Sequence, residues 1–238
     1  MKKIAVLSGK GGVGKTTISS LMALYLSKTY KVLLLDFDLT GPSISSVFKN
    51  KEKIRTNSDN ILIPNKVSEN LHTLSIGYMI GENDVVIWRS PKRISFLKNF
   101  LASSKALNFD YVIVDTPPGI SEELTLIHDF KCLVVTSSQN VAVSDASLSL
   151  EYCKKYNIEV LGVVENMQSI NCNDCKKEVL MFSKGGGKML SETYNVDYLG
   201  FLPLDYDFII NLDTNKFNYE DIENSKIYEN LKNIFKKI

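Results

Sequence analysis

Short, nearly continuous apolar runs alternate along this chain with longer stretches in which apolar residues recur at helical spacing. The runs read IAVLS (4–8), KVLLLD (31–36), YVIVD (111–115), CLVVTS (132–137) and EVLGVVEN (159–166), and a helical pattern occupies Thr16 to Lys28. Strands that are apolar on both sides are strands covered on both sides, which is the condition of a parallel sheet with helices on its two faces. The pattern therefore predicts an α/β fold with a mostly parallel sheet. Several runs end in a polar residue, namely Ser8, Asp36, Asp115, Ser137 and Asn166. In open α/β sheets ligands bind at the carboxyl ends of the strands, so a site assembled from separated loops is expected there.

Between these elements, residues 49–70 are polar, rich in Lys and Asn and weakly periodic, an excursion with room for a short hairpin. Gly185, Gly186 and Gly187 form the only glycine triplet and stand at a predicted helix entrance. The tail ENLKNIFKKI is amphipathic. Its Leu231, Ile234, Phe235 and Ile238 read as a terminal helix docked on the core, and the basic end leaves a surface-binding helix as the alternative.

Composition narrows the class without choosing a function. The chain has 238 residues, 44% hydrophobic and 23% charged, ordinary values that exclude disordered and fibrous classes. One domain spanning 1–238 is expected, because α/β proteins of this length commonly do not divide. Lys and Arg number 28 against 27 acidic residues, so no global basic field recruits nucleic acid. The opening MKKIAVLS gives way to glycines too soon for a secretory signal, and no window reaches the ~18 apolar residues of a spanning helix. A cytoplasmic protein with no stable membrane association is the expectation.

The chemistry begins at Gly9. Residues 9–16 read GKGGVGKT and satisfy G-x-x-x-x-G-K-[ST] between a predicted strand and a predicted helix, the context that the motif's mechanism requires. In such a loop the backbone N–H groups of Gly9, Lys10, Gly11, Gly12, Val13, Gly14, Lys15, Thr16 and Thr17 converge on phosphate oxygens. Lys15 reaches the β- and γ-phosphates, and the Thr16 hydroxyl can ligate Mg²⁺. A P-loop NTPase fold binding ATP with Mg²⁺ follows. Asp36 and Asp38, in DFDLTGPS, stand where a strand opens into a loop and can approach the metal shell and the attacking water, or one of them can cap the turn before Gly41 and Pro42. Asp115, ahead of the stiff TPPG turn, is placed as a further Mg²⁺ carboxylate. Asn166 carries a carboxamide able both to accept from an adenine amino group and to donate to a ring nitrogen, though asparagine at a strand end is also a turn residue.

The loop KGGVGKT resembles the deviant Walker A of the MinD/ParA/Mrp ATPases. That resemblance implies a dimer in which Lys10 reaches the nucleotide of the facing subunit, and it places Asp38 at the switch I catalytic position with Asp36 supporting the metal shell. More of the chain is similar to Mrp-type iron–sulfur cluster carriers: DFDLTGPSI, SIGYMIG, VIWRSP, DTPPG, GVVENM, a C-x-x-C, FSKGGGKML and LGFLPLD stand in that family's order. The resemblance implies base recognition by Asn166, flanked by Pro203 and Leu204. It departs at Asn173, where many relatives have proline, and at Ser90, where many have glycine. The chain starts at its first strand, without the cysteine-rich N-terminal extension of one eukaryotic branch, so a second cluster is not expected.

Of the four cysteines, Cys172 and Cys175 have the two-residue spacing that lets both thiolates reach one metal centre, whereas Cys132 and Cys153 fall on a predicted strand and helix as core residues. Taken alone, the close pair fits a metal site, a redox pair or chance. Two thiolates do not complete a site that wants four ligands, and the simplest completion is a dimer that brings two pairs together. The Mrp resemblance implies this arrangement, a 4Fe-4S cluster bridging two subunits. The expected protein is thus a slow ATPase, homodimeric or paired with a related chain, that passes a cluster to apo iron–sulfur proteins. The rival readings are a ParA/MinD-like positioning ATPase and a zinc-stabilised ATP-binding adaptor.

Overall fold

The computed structural model describes residues 1–49, 52–58, 61–80, 86–104, 108–171, 175, 177–182, 185–214 and 219–238. In chain order its elements are β1 (Lys2–Leu7), α1 (Lys15–Ser27), β2 (Val32–Asp36), α2 (Ile44–Phe48), β3 (Arg55–Thr56), β4 (Leu62–Ile63), β5 (Asn65–Lys66), β6 (Leu71–Leu74), α3 (Ser90–Ser103) and β7 (Tyr111–Asp115). They continue with β8 (Lys131–Ser137), α4 (Asn140–Lys155), β9 (Val160–Asn171), β10 (Glu178–Leu180), α5 (Gly186–Tyr194), β11 (Tyr198–Leu204), α6 (Tyr206–Thr214), α7 (Tyr219–Glu223) and α8 (Tyr228–Phe235).

The main sheet runs β10-β9-β8-β1-β7-β2-β6-β5, with β11 also paired to β9. Every pairing among β11, β9, β8, β1, β7, β2 and β6 is parallel, and only β5 and β10 join antiparallel. This is the expected mostly parallel sheet. Alternate residues of each central strand feed different cores, as the period of two requires. Ile4, Val6, Leu34 and Ile113 meet α1 and α8 on one face, through Ile18, Leu21, Leu231 and Ile234. Ala5, Leu33, Leu35, Val112 and Val114 meet α3 and α4 on the other, through Leu97, Phe100 and Leu150. The polar excursion at 49–70 contains the antiparallel β3–β4 hairpin, and the glycine triplet opens α5.

One boundary differs from the sequence reading. Asn166 was expected to end its strand, but β9 continues to Asn171. The parallel ladder with β8 does stop there, at Ser137 opposite Asn166, and from Ser169 onward β9 pairs with β10. Met167, at φ +56°, supplies the bend between the two pairings. A change of tertiary partner, not a turn, lies behind the polar residue.

The amphipathic tail docks on the core. Leu231, Ile234 and Phe235 of α8 are buried, Phe235 packs against Tyr25 of α1, and the Asn230 amide and Lys237 ammonium donate to the Phe201 and Leu199 carbonyls of β11. Among the described residues no helix is long and apolar enough to cross a membrane. Truncating a fully buried Ile leaves a cavity as well as lost transfer energy, so Ile234→Ala should lower unfolding stability by about 2–5 kcal/mol in urea titration. A loss below about 0.5 kcal/mol, the size expected of an exposed position, would mean that α8 is not docked in solution.

Candidate functional site

The site lies on the carboxyl edge of the sheet, where β1, β2, β7 and β9 bring their loops together. Between β1 and α1 the glycine loop turns through left-handed conformations at Gly12 and Gly14, φ +82° and +85°. At Gly14 the need for glycine is double: a Cβ would also stand 2.2 Å from the Asn166 amide nitrogen. Any side chain there would push β9 away from the loop.

Lys15 and Thr16, the first residues of α1, both reach Asp115 at the end of β7. The Lys15 ammonium is 2.8 Å from Asp115 Oδ1, and the Thr16 hydroxyl donates to Oδ2 at 2.6 Å. The ion pair is almost wholly buried, with side-chain exposures of 8% and 1%. Removing one partner of such a pair costs far more than an exposed pair contributes, because the other charge stays desolvated. An ammonium held beside a loop of backbone donors is placed to exchange this carboxylate for phosphate oxygens. A hydroxyl and a carboxylate side by side are the hard oxygen donors that Mg²⁺ prefers.

Asp36 ends β2 directly opposite Asp115 in the neighbouring strand. It is fully buried and accepts four hydrogen bonds: from the Ser43 and Ile44 amides at the start of α2, from the Ser75 hydroxyl at 2.8 Å, and from the Asp38 amide at 3.2 Å. These bonds fix the loop 37–43 to the sheet. Burial, and next the facing charge of Asp115, push its carboxyl from the ordinary 3.8 up to about 7, against the opposing pull of Ser75, the Ile44 amide and Lys15. Asp38 follows on the loop, half-buried. Its Oδ1 accepts from the Thr40 hydroxyl and the Gly41 amide, so it does cap the turn, while Oδ2 has no hydrogen-bond partner among the described residues. The turn-capping reading of that carboxylate holds for Oδ1.

On the other side of the loop the Asn166 amide donates to the Val13 carbonyl at 2.9 Å. Asn166, Pro203 and Leu204 line one small cavity of about 80 Å³, together with Thr17, Met167 and Phe208. The three residues expected around a base are thus gathered beside the phosphate loop. Lys10 is half-buried, and its ammonium makes no hydrogen bond or ion pair among the described residues. Cys175 is exposed on the turn between β9 and β10, whereas Cys172 lies outside the described residues. Cys132 and Cys153 are buried next to one another, and the Cys153 sulfur together with burial pushes the Cys132 thiol upward.

Two carboxylates escaped the sequence reading. Glu165 is completely buried and hydrogen-bonded to the Ser138 hydroxyl, the Gln168 amide and the Gly187 backbone N–H. Glu123, just after the TPPG turn, is buried against Arg93 of α3 at 3.1 Å. The signal for Glu165 was present as an acidic residue inside the apolar run GVVEN, next to Asn166.

Comparison with known proteins gives a consistent group of relatives. Residues 1–238 match the family model described as ParA, NUBPL iron-transfer P-loop NTPase. A Nematostella vectensis protein named cytosolic Fe-S cluster assembly factor NUBP2 homolog is 38% identical over 247 residues, covering 99% of this chain and 91% of that one. The Saccharomyces cerevisiae cytosolic Fe-S cluster assembly factor CFD1 is 38% identical over 219 residues, covering 87% and 75%. Among solved structures, the Archaeoglobus fulgidus nucleotide-binding protein in complex with ADP superposes with TM-score 0.74 at 27% identity, over 89% of this chain and 85% of that chain. The Pyrococcus horikoshii septum site-determining protein MinD, complexed with Mg-ADP, shares the fold at TM-score 0.73 and 20% identity, over 99% and 95%.

The raised Asp36 carboxyl gives a pH prediction for the protein free of nucleotide and Mg²⁺. A folded-state pKa above the unfolded one means that the native state keeps a proton the unfolded chain has released, so this residue's contribution is whole below about pH 4 and is lost as pH rises to about 7. Asp36→Asn, which stays neutral, should therefore gain on the wild type in chemical denaturation as pH rises through that window, and level off above it. A stability difference that does not change with pH would place the titration elsewhere.

Proposed function

The chain belongs to the family of NUBPL iron-transfer P-loop NTPases, and on that premise we propose that it is a slow ATPase that holds a labile 4Fe-4S cluster between two subunits and delivers it to apo iron–sulfur proteins. The observation that carries this reading is the closeness along the chain of two features. Strand β9 presents Asn166 to the phosphate loop, and the exposed Cys175 lies between β9 and β10. The curated relatives named as cytosolic Fe-S cluster assembly factors support the same activity and a cytosolic location.

In this reading the backbone N–H groups of residues 9–17 and the Lys15 ammonium hold the phosphates, and Asn166, Pro203 and Leu204 hold the base. Thr16 and Asp115 would hold Mg²⁺, which when bound offsets phosphate charge, and Asp36 keeps the adjoining loop in place. Asp38 orients the attacking water through Oδ2, the oxygen that its turn leaves free. Lys10, unpaired among the described residues of its own chain, serves the nucleotide of a facing subunit. The cluster is cargo, and two thiolates per chain call for a second copy of this chain or a related one. Exposed apolar residues Val179, Leu180, Met181 and Phe182 beside the cysteine turn, with Val141 and Leu148 on α4, support such an interface. ATP acts by changing how the subunits meet, and turnover is secondary.

The surface-positioning alternative needs the apolar face of α8, but that face is buried against β11 and α1. A zinc-stabilised adaptor would share the thiolates and differ in the metal recovered after anaerobic purification.

Anaerobic reconstitution with iron and sulfide tests the proposal. Cys172→Ala and Cys175→Ala should each lose the visible absorbance of the cluster almost completely and still bind ATP, since in this reading the phosphates and the base are held by other residues. Cys132→Ser and Cys153→Ser should keep the cluster and lose stability through poorer core packing. Full cluster loading of either Cys172→Ala or Cys175→Ala would defeat the bridging site.

A further inference from the structure

Glu165 occupies an unusual place: no part of it reaches solvent, yet the phosphate-loop and metal roles do not use it. One carboxylate oxygen accepts from the Ser138 hydroxyl and, at 3.0 Å, from the Gln168 side-chain amide. The other accepts from the Gly187 backbone N–H at 2.9 Å and faces the Tyr198 hydroxyl at 3.5 Å. Gln168 and Gly187 stand on either side of the cysteine segment. Gln168 lies on β9 before the turn, and its carbonyl accepts from the Met181 amide on the returning arm at 3.1 Å. Gly187 lies on α5, the helix that follows that arm. The approach of α5 is close enough that a Cβ on Gly187 would sit 2.8 Å from the Glu165 Cβ. A single buried carboxylate therefore fastens both ends of the excursion that carries Cys172 and Cys175.

The same residue is bonded through the chain to Asn166, which holds the Val13 carbonyl of the phosphate loop. Between Asn166 and Gln168 the backbone takes the left-handed bend at Met167. Asn166 is bonded to the loop and joined through one peptide link to Glu165, so a displacement of the loop has a bonded route to both ends of the excursion. Buried and fully bonded carboxylates resist rearranging one partner at a time, which favours transmission of the motion over its absorption.

We propose that Glu165 is a positioning residue that couples nucleotide occupancy of the phosphate loop to the position of the two arms that flank Cys175. The inference rests on the proposed function only for the purpose of the coupling; the coupling itself is measurable without a cluster. Anaerobic protein without iron is treated with iodoacetamide, with and without MgATP, and alkylation of Cys172 and Cys175 is followed by mass spectrometry. Cys132 and Cys153 are buried and serve as internal controls. Couplings between sites commonly span about 5–150-fold, so MgATP should change the wild-type alkylation rate by at least ~5-fold. In Glu165→Ala the ratio should fall close to one while ATP affinity stays that of the wild type.

Glu165→Gln should restore much of the ratio, because its amide oxygen can still accept from Gly187 and the Gln168 amide can turn to accept from the new NH₂ group. Gln168→Leu, which cuts one fastening and leaves Glu165 in place, should reduce the ratio and serves if Glu165→Ala does not fold. A wild-type ratio of one, an unchanged ratio in Glu165→Ala and Gln168→Leu, or loss of ATP binding in Glu165→Ala would each overturn the proposal. A wild type that responds to MgATP but takes up no iron would defeat the cluster reading instead, and the alkylation ratios would still decide the role of Glu165.

Discussion

The architecture depends on a buried charge meeting at the carboxyl edge of the sheet, where Lys15 and Thr16 at the head of α1 converge on Asp115 at the end of β7. Charges with so little access to water are tolerated only when paired and hydrogen-bonded. Here the pairing is supplied by the fold itself: β1 lies between β7 and β8 in parallel register, so the loop leaving β1 must pass over the end of β7. Placing a second carboxylate, Asp36, opposite the first would be untenable if both were ionised without support. Its raised proton affinity and its bonds from Ser43, Ile44 and Ser75 are the structural answer, and they tie the loop of Asp38 to the same edge. The phosphate loop and two acidic loops thus form one mechanically connected surface.

A second connection runs sideways through β9. The strand leaves β8 at Asn166, bends at Met167 and takes β10 as its new partner, so the residue that touches the phosphate loop stands on the strand that precedes Cys175, and β10 follows that cysteine. On the proposed function, that arrangement links the nucleotide site to the arms that flank Cys175. Asn166 meets the loop, Glu165 holds Ser138 and α5, and Gln168 carries the returning arm. The exposed apolar side chains on that arm are the surface on which the proposed shared cargo would bring a second subunit.

Much of this was legible in the residues. Doubly covered strands wrote themselves as unbroken apolar runs, and the glycine loop announced both its position and its ligand, because few sequences combine a strand, converging amides and a lysine at that spacing. Asp36 and Asp115 were singled out because polar residues ending apolar strands are conspicuous, and Asp38 because it follows two residues on. The terminal helix was legible from the spacing of Leu231, Ile234 and Phe235. What stayed hidden depended on tertiary partners. The continuation of β9 beyond Asn166 is a change of neighbour with no local signature, and the bonding of Asp38 through Oδ1 is set by a turn that only the folded loop defines. Glu165 was overlooked because a carboxylate within an apolar strand reads as an interruption until Gly187, distant in sequence, is seen to arrive beside it with its N–H.

The central claim is that one chain supplies half of a cluster site, and it is tested most directly by native mass spectrometry of the anaerobically reconstituted wild type with iron counted on the same sample. The account predicts a species of twice the 26.8 kDa chain mass carrying one cubane, about two iron atoms per chain. A monomer that carries about four iron atoms would contradict it, because a complete set of ligands would then lie within a single chain.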